Sequence, residues 1–411
     1  MSMSAYRTAT DGAEQVCFGD EDIFFSRTNA AGLIESGNDV FERVSGYGWS
    51  QLFRAPHKIV RHEDTPRAVF HALWRAIKAG RPIGAYVKNR SRAGAHYWVY
   101  AIVSPIEGGY LSVRIRPQGA HFEAARALYA ETQQREIETA LPPCESFQGL
   151  ESKLVRMGFG DYPAFMGRAL GQELLDRDAR LGRACDGGIA TLLDLQITAA
   201  DNVRRMERIQ ASYVGSRHLP LSLQVQSARL GARAVAVGSI AGNYRAIVEE
   251  LADCMAEFAA ASLAVEQSVS AALFLFGAAR VQSEMAARFR QELGDDTDPD
   301  EDRILDLTQL EGLAARYRSE ARAGVRAVAP RVRRFDQACV DMRRLAAGLE
   351  MTRVVGKVES ARLAGDSAGV VGLLNELGVF QRSVSDGLQE LGRESASITR
   401  GVERVIGALC D

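Results

Sequence analysis

The spacing of apolar residues changes from the first part of the chain to the second. Up to about residue 117, apolar and polar positions alternate over short segments, and these segments are separated by short stretches with helical spacing. Beyond Pro117, apolar residues recur at intervals of three and four over long distances, which is typical of amphipathic helices. The chain is therefore expected to contain an α+β domain followed by an all-α region.

Five strands are predicted in the first part. Two precede a short helix whose N-cap is Asn38 or Asp39, and a second helix follows Asp-Thr-Pro and ends at Gly80. The remaining three strands are joined by Gly-containing turns, so they form antiparallel hairpins. Their predicted ranges are residues 83–89, 96–105 and 109–116.

The second part is expected to be helical throughout. A connector helix at residues 121–139 ends before Pro142-Pro143, and prolines at positions 220 and 330 are expected to kink or separate later helices. The last helix has heptad spacing at Val384, Leu388, Leu391, Ser395, Ile398, Val402, Val405 and Leu409. That period suits an antiparallel bundle or a coiled-coil dimer. The other predicted helices cover residues 147–183, 188–229, 235–292, 303–329, 331–355 and, for the last, 373–409.

Four regions are predicted from these patterns. They are an α+β sensor domain at 22–117, a connector helix at 118–143, a helical bundle at 144–293 and a C-terminal helical region at 303–411. The acidic run at 295–302 lacks the glycine and the distal glutamate of a calcium loop, so a solvated turn is expected there.

Composition removes several classes of protein from consideration. The 411 residues carry a formal charge of -2, which gives no electrostatic reason to expect nucleic acid or an anionic membrane as a partner. Six cysteines are scattered singly, which predicts reduced, mostly buried thiols rather than a zinc site. The start of the chain is polar and the apolar run at 271–279 is short, so neither a secretory signal nor a membrane span is expected. A cytoplasmic location follows.

Candidate chemistry is concentrated in two runs. The first, PHKIVRHEDTP at residues 56–66, places two imidazoles, two cations and two acids within eight residues. The second, VKNRSRAGAHYWV at residues 87–99, joins a basic turn to Tyr97 and Trp98, so polar groups and aromatic surface are expected to meet in one pocket. Two plainer roles stay open, since His62 and Asp64 suit the cap of the following helix and the aromatic residues suit a core.

Together these runs resemble the PAS domain of bacterial aerotaxis receptors. The similarity covers residues 22–117 and includes Phe70 with Trp74 and the closing strand at 109–117. Two positions depart from the family pattern, which has Trp where this chain has Ile83 and Pro where it has Glu63. The resemblance implies an antiparallel five-stranded sheet with short helices, and non-covalently bound FAD whose redox state is the signal. The family's flavin-site residues correspond to Asn38, His57, Arg61, His62, Asp64 and Trp74.

A second segment, at residues 219–245, resembles the hairpin tip of methyl-accepting chemotaxis proteins. Matching positions include Leu219, Ala228, Arg229 and Gly231, whereas Ser222 and Gln226 replace the Asn and Glu that engage the chemotaxis kinase in that family. No kinase ATP-site motif is evident. The alternative is an unrelated Ala-rich helix pair joined at a Gly turn.

We therefore expect a soluble redox or oxygen sensor of the aerotaxis type. It binds FAD, has no enzymatic activity, and passes the signal to its helical region. A homodimer is expected, with a chemotaxis kinase, a coupling protein or another signalling protein as partner. The alternative is a PAS scaffold without cofactor that dimerises and recruits a partner through its helices. A flavoenzyme is disfavoured, because no GxGxxG turn and no nucleophile paired with a base are evident.

Overall fold

A computed structural model describes residues 15–294, 301–363 and 368–408. It contains an α+β domain followed by long helices, as the change of period predicted. The strands are β1 (Phe24–Asn29), β2 (Ile34–Gly37), β3 (Ile83–Arg90), β4 (His96–Ile106) and β5 (Gly109–Ile115). The helices of the first half are α1 (Asp39–Ser45), α2 (Trp49–Leu52), α3 (Arg67–Lys78), α4 (Ala120–Thr139), α5 (Pro143–Arg156) and α6 (Tyr162–Arg180). Those of the second half are α7 (Gly187–Ser216), α8 (Leu219–Arg229), α9 (Val235–Gly294), α10 (Glu301–Ala361) and α11 (Ala368–Ala408).

The five strands form one antiparallel sheet in the order β2-β1-β5-β4-β3. The three predicted hairpin strands are each correct to within one residue at either end. Glycine is required where β5 begins beside β1, because a Cβ on Gly109 would lie 1.9 Å from the backbone oxygen of Thr28. The turn before it uses Gly108 at φ +76°, a conformation that side chains with a Cβ rarely adopt.

Helices cover one face of this sheet, here called the outer face. Along β5 the residues Leu111, Val113 and Ile115 have no exposed surface and lie on that face. The Tyr100 hydroxyl donates a hydrogen bond of 2.7 Å to the backbone oxygen of Met166 in α6. The Phe25 ring meets Phe289 of α9 edge to face, with the ring centres 4.9 Å apart. The outer face is therefore part of the core.

The N-terminus of α3 is capped by a residue distant in sequence. The backbone N–H groups of Arg67 and Ala68 donate to the Glu136 carboxylate of α4, at 2.8 and 2.9 Å. The Ser146 hydroxyl of α5 donates to the same carboxylate at 2.7 Å. The alternative role left open for Asp64, as the cap of this helix, is not the one it has, because its carboxylate binds Lys88 and Pro66 is the N-cap residue. The cap is tertiary, so local sequence does not indicate it.

The helical region differs from prediction at two breaks and agrees with it at a third. The predicted helix 147–183 is two helices, α5 and α6. The interruption predicted near Pro220 is confirmed, since α7 ends at Ser216 and Pro220 lies in the first turn of α8, where its missing N–H has no partner to lose. Pro330 lies inside α10 instead of separating two helices. Val328 and Val332 on either side of it are buried in one apolar stripe, and this packing offsets the lost hydrogen bond.

Two compact units divide the chain. One comprises residues 1–193 and 270–322, and the other 194–269 and 323–411. The second unit is a helical bundle. The heptad residues from Val384 to Val405 are buried within it, which favours the bundle over an exposed coiled-coil seam. Leu409 lies outside the described residues.

Other expectations have mixed outcomes. Cys17, Cys144 and Cys185 are exposed, so the prediction of mostly buried thiols is wrong, although Cys339 is buried.

No group of three His, Cys, Asp or Glu side chains within the described residues is placed to hold a metal ion. The helix α9 is long and apolar enough to cross a membrane by length and composition, although half of its most apolar stretch is buried inside the protein. Residues 1–14 and most of the acidic run at 295–302 lie outside the described residues.

Replacing Glu136 tests the tertiary cap. Glu136→Ala leaves two N–H groups of α3 and the Ser146 hydroxyl without their acceptor, so we expect the free energy of unfolding to fall by about 1–3 kcal/mol. Glu136→Gln keeps an acceptor oxygen and should cost less. Urea denaturation measures both. Glu138→Ala, on the exposed face of α4, is the control and should change stability little; an equal loss there would contradict the assignment.

Candidate functional site

A cavity of about 340 Å³ lies between α3 and the inner face of the sheet. One wall of the cavity is formed by α3. Its lining residues are Phe70, Leu73, Trp74 and Ile77, whose intervals of three, one and three place them on the same side of the helix. The volume is within the usual range of small-molecule sites. The lining residues are Ser26, Thr28, Ala31, Gly32, Pro56, His57, Lys58, Arg61, Phe70, Leu73, Trp74, Ile77, Val87, Asn89, Ala101, Val103, Tyr110, Ser112 and Arg114.

The floor of the cavity is built by the alternation of side chains along the strands. On β5 the inward positions are Tyr110, Ser112 and Arg114, and the Cα atoms of the first and last are separated by about 13 Å at the usual rise per residue. Val87 and Asn89 occupy the same face on β3. The floor is thus long and combines apolar side chains with polar groups at defined points.

A buried arginine marks one end of this floor. Arg114 is only 3% exposed, and its Nη2 donates to the Ser26 hydroxyl at 2.9 Å. The same Nη2 lies 2.6 Å from Nε2 of His57. Burial, with a smaller contribution from the Arg114 charge, lowers the pKa of His57 to about 3. At neutral pH the imidazole is therefore uncharged and accepts a hydrogen bond from the guanidinium.

The more exposed side of the cavity carries an indole and two cations. Trp74 is 37% exposed and meets the Tyr110 ring edge to face at 5.5 Å between ring centres. The guanidinium carbon of Arg61 lies 3.7 Å from the centre of the Phe70 ring, a cation–π contact, and Lys58 is exposed. Gly32 adopts φ +77° beside the indole, where a Cβ would be 3.5 Å from the Trp74 ring.

Asn89 is a polar lining residue that the sequence did not single out. It is 3% exposed and lines the cavity. Its side-chain amide offers an acceptor oxygen and two donor hydrogens, so a ligand in the cavity that pairs with them offsets the cost of their burial. Residues two apart on a strand face the same side, so Asn89 could have been identified from the sequence if Val87 had been known to face the cavity.

Three of the six predicted site residues line the cavity, namely His57, Arg61 and Trp74. His62 and Asp64 instead fasten the preceding loop to the edge strand β3. The Asp64 carboxylate lies 2.6 Å from Nζ of Lys88, and the Asp64 backbone N–H donates to Nδ1 of His62 at 3.1 Å. Burial opposes ionisation of Asp64, but the hydrogen bond and charge of Lys88 outweigh it and lower the pKa.

Asn38, the sixth predicted residue, supports the domain from outside the cavity. Its side-chain oxygen accepts from the Phe25 N–H at 3.1 Å, and its amide donates to the Ile23 backbone oxygen at 3.2 Å. The same amide donates to Glu292 at 3.3 Å. Asn38 therefore joins the start of α1 to β1 and to α9.

The aromatic pair of the second run does not meet the first run in the cavity, so that expectation is wrong. Tyr97 is fully buried with its ring centre 6.3 Å from that of Phe18. Trp98 faces the outer side of the sheet and contacts Phe122 of α4 at 5.4 Å between ring centres. The alternation of β4 places Tyr97 and Trp98 on opposite faces, so both cannot reach one pocket.

Comparison with known proteins identifies the α+β domain as a PAS domain. Residues 34–114 match the family model described as the PAS fold. The chain is 40% identical to the aerotaxis receptor of Escherichia coli K12 over 115 residues, which are 27% of this chain and 23% of that protein. It is 26% identical to the nitrogen fixation regulatory proteins of Klebsiella pneumoniae and Klebsiella oxytoca over 97 residues, 24% of this chain and 18% of each of theirs.

Each of these three relatives matches about a quarter of this chain. The match spans less than a quarter of the length of each of these relatives. Among solved structures, a blue-light activated histidine kinase of Erythrobacter litoralis aligns over 39% of this chain and 53% of its own, with 16% identity and a TM-score of 0.24. At that score the alignment adds nothing to the assignment.

The pKa of His57 predicts a dependence of stability on pH. The unfolded chain takes up a proton at this residue near the ordinary pKa of about 6.5, whereas the folded chain does so only near 3, so stability falls as pH decreases between these values. We expect His57→Asn to make the decline in the free energy of unfolding shallower over that window. Urea denaturation of ligand-free protein at several pH values measures it, with His71→Asn as control. Identical slopes for His57→Asn and wild type would contradict the prediction.

Proposed function

We propose that this PAS domain is a redox or oxygen sensor in signal transduction that binds FAD in the cavity beneath α3. The observation that carries the proposal is the cavity itself. Its long floor ends at a buried cation, carries a side-chain amide, and is flanked by an indole and two more cations. The similarity of this domain to that of the E. coli aerotaxis receptor supports the same reading.

The lining residues fit a flavin. An isoalloxazine is planar, with apolar faces and a polar edge, and the sheet floor offers Val87 and Val103 to one face and Leu73 and Ile77 of α3 to the other. The Asn89 amide offers both a donor and an acceptor to the polar edge. Lys58 and Arg61 supply cations for the phosphates of a dinucleotide, which a guanidinium binds in a fork.

Bound flavin would supply a redox centre whose ring edge changes its proton and charge on reduction. The chain's own residues respond to that change. Asn89 can present either its oxygen or its nitrogen, so its side chain turns when the demand at the ring edge changes. We infer that the response shifts the population of α3 positions, since α3 forms the opposite wall of the cavity.

The Glu136 cap extends this path to the output helices. Any displacement of the N-terminus of α3 also displaces the carboxylate in α4 and the Ser146 hydroxyl in α5 that binds it. Further along the chain, α7, α9 and α10 each contribute residues to both compact units. We propose that the helical region then recruits a signalling protein, for which a chemotaxis kinase or its coupling protein is the first candidate. The enzymatic step belongs to that partner.

The alternative is a PAS scaffold that holds no cofactor. It has the same fold and the same helical region, and it differs in one measurable property. Purified protein mixed with FAD and then separated from free ligand is expected to stay yellow and to show the absorbance bands of an oxidised flavin. Folded protein that remains colourless after refolding in excess FAD would contradict the proposal of an FAD-binding sensor and would support the scaffold without cofactor.

Substitution of Trp74 tests the location of the ligand. Trp74→Ala removes the indole from the exposed side of the cavity, so we expect the affinity for FAD to fall by about tenfold or more, the equivalent of ~1.4 kcal/mol. Phe53→Ala is the control, because Phe53 is also an exposed aromatic residue but does not line the cavity. Titration followed by flavin fluorescence measures both affinities. Equal losses in the two variants would place the ligand elsewhere.

A further inference from the structure

Two arginines are buried in the sheet, and their surroundings differ. Arg27, on the outer face, forms ion pairs with Asp306, Asp302 and Glu35 at 2.6, 2.9 and 2.7 Å. Arg114 has no carboxylate within ion-pair distance anywhere in the described residues. Burying a charge without a partner of opposite sign is expensive, because the desolvation of the ion is not offset. Arg27 is thus neutralised by the protein, and Arg114 is not.

The groups around Arg114 solvate its charge without cancelling it. They are the Ser26 hydroxyl at 2.9 Å, the Ser112 backbone oxygen at 3.5 Å and the neutral His57 imidazole. The rings of Phe24 and Phe41 lie with their centres 5.7 and 5.3 Å from the guanidinium carbon. Burial lowers the pKa of Arg114 to about 10, which still leaves the side chain charged at neutral pH.

The Arg114 side chain is accessible to a ligand in the cavity, and its position on β5 determines which part of the ligand it meets. Arg114 lines the cavity at the end of β5 opposite Tyr110, so a ring system lying along the floor brings one edge to the guanidinium. Because the cost of burying Arg114 is recovered when an electron-rich group meets it, a ligand with oxygen or nitrogen acceptors on that edge is favoured over an apolar one.

We propose that Arg114 binds the acceptor-rich edge of the ligand and that its charge favours the more negatively charged form of that ligand. With FAD as the ligand, this rests on the proposed function. Reduction of the ring by two electrons and one proton, with an external reductant as the electron source, adds one negative charge. The charge of Arg114 then binds the reduced form more tightly than the oxidised form and raises the reduction potential of the bound flavin.

The magnitude follows from linkage between binding and reduction. If loss of the Arg114 charge weakens binding of the reduced form tenfold more than that of the oxidised form, the midpoint potential of a two-electron couple falls by about 30 mV. Binding of the oxidised form also weakens, since a hydrogen bond from a charged donor is lost, and we expect a decrease of about tenfold.

The test compares full-length wild-type protein with Arg114→Gln, Arg114→Lys and the control Arg116→Gln. Arg116 lies two residues further along the chain and does not line the cavity. Affinity for FAD is measured by fluorescence titration, and the midpoint potential by stepwise reduction with dithionite in the presence of a reference dye. Circular dichroism and the urea midpoint of the flavin-free proteins establish that each variant is folded.

We expect Arg114→Gln to lower both affinity and potential, Arg114→Lys to lower affinity while keeping most of the potential, and Arg116→Gln to change neither. Folded Arg114→Gln with the affinity and potential of wild type would overturn the inference and leave the proposed function intact. Wild-type protein that takes up no FAD would overturn both. If Arg114→Gln does not fold, the test rests on Arg114→Lys. An affinity of Arg114→Lys for FAD equal to that of wild type would contradict a direct contact between the guanidinium and the ligand.

Discussion

The alternation of side chains along β5 is the constraint on which the rest of the PAS domain depends. Leu111, Val113 and Ile115 face the helices that cover the sheet, and the intervening Tyr110, Ser112 and Arg114 face the cavity. A slip of one residue in the pairing would exchange these two sets, putting a guanidinium in the core and apolar side chains in the site. The close approach of Gly109 to Thr28 holds the register at the start of the strand.

Sequence alone was sufficient for the strands and insufficient for the contacts between distant elements. Strand bounds depend on local alternation and on glycine turns, both of which are visible in a few residues. The Glu136 cap of α3 joins residues 69 positions apart, and no local pattern indicates it. The two prolines of the helical region had different outcomes for a related reason: the break near Pro220 was predicted correctly and the break at Pro330 was not, since the effect of a proline depends on its position in a turn and on the packing beside it.

The residues of the candidate site also fall into those that the sequence located and those that it did not. The family resemblance located the loop that carries His57, Arg61 and the residues next to them, but half of the transferred positions serve to fasten the loop and α1 rather than to line the cavity. Asn38 and Asp64 are examples, each bound to backbone or charge within the protein. Asn89 and Arg114 were overlooked because their importance arises from which face of a strand they occupy, and that requires the register of the whole sheet.

The position of Glu136 also bears on how this sensor can be combined with other outputs in evolution. The family match ends at residue 114, whereas the acceptor that completes α3 belongs to α4 and is itself held by α5. A gene fusion that joined a foreign output directly after the last strand would leave the wall of the cavity with an unfinished helix terminus. The unit that recombination can move intact therefore reaches through α5 and is longer than the part of the chain that matches the PAS fold.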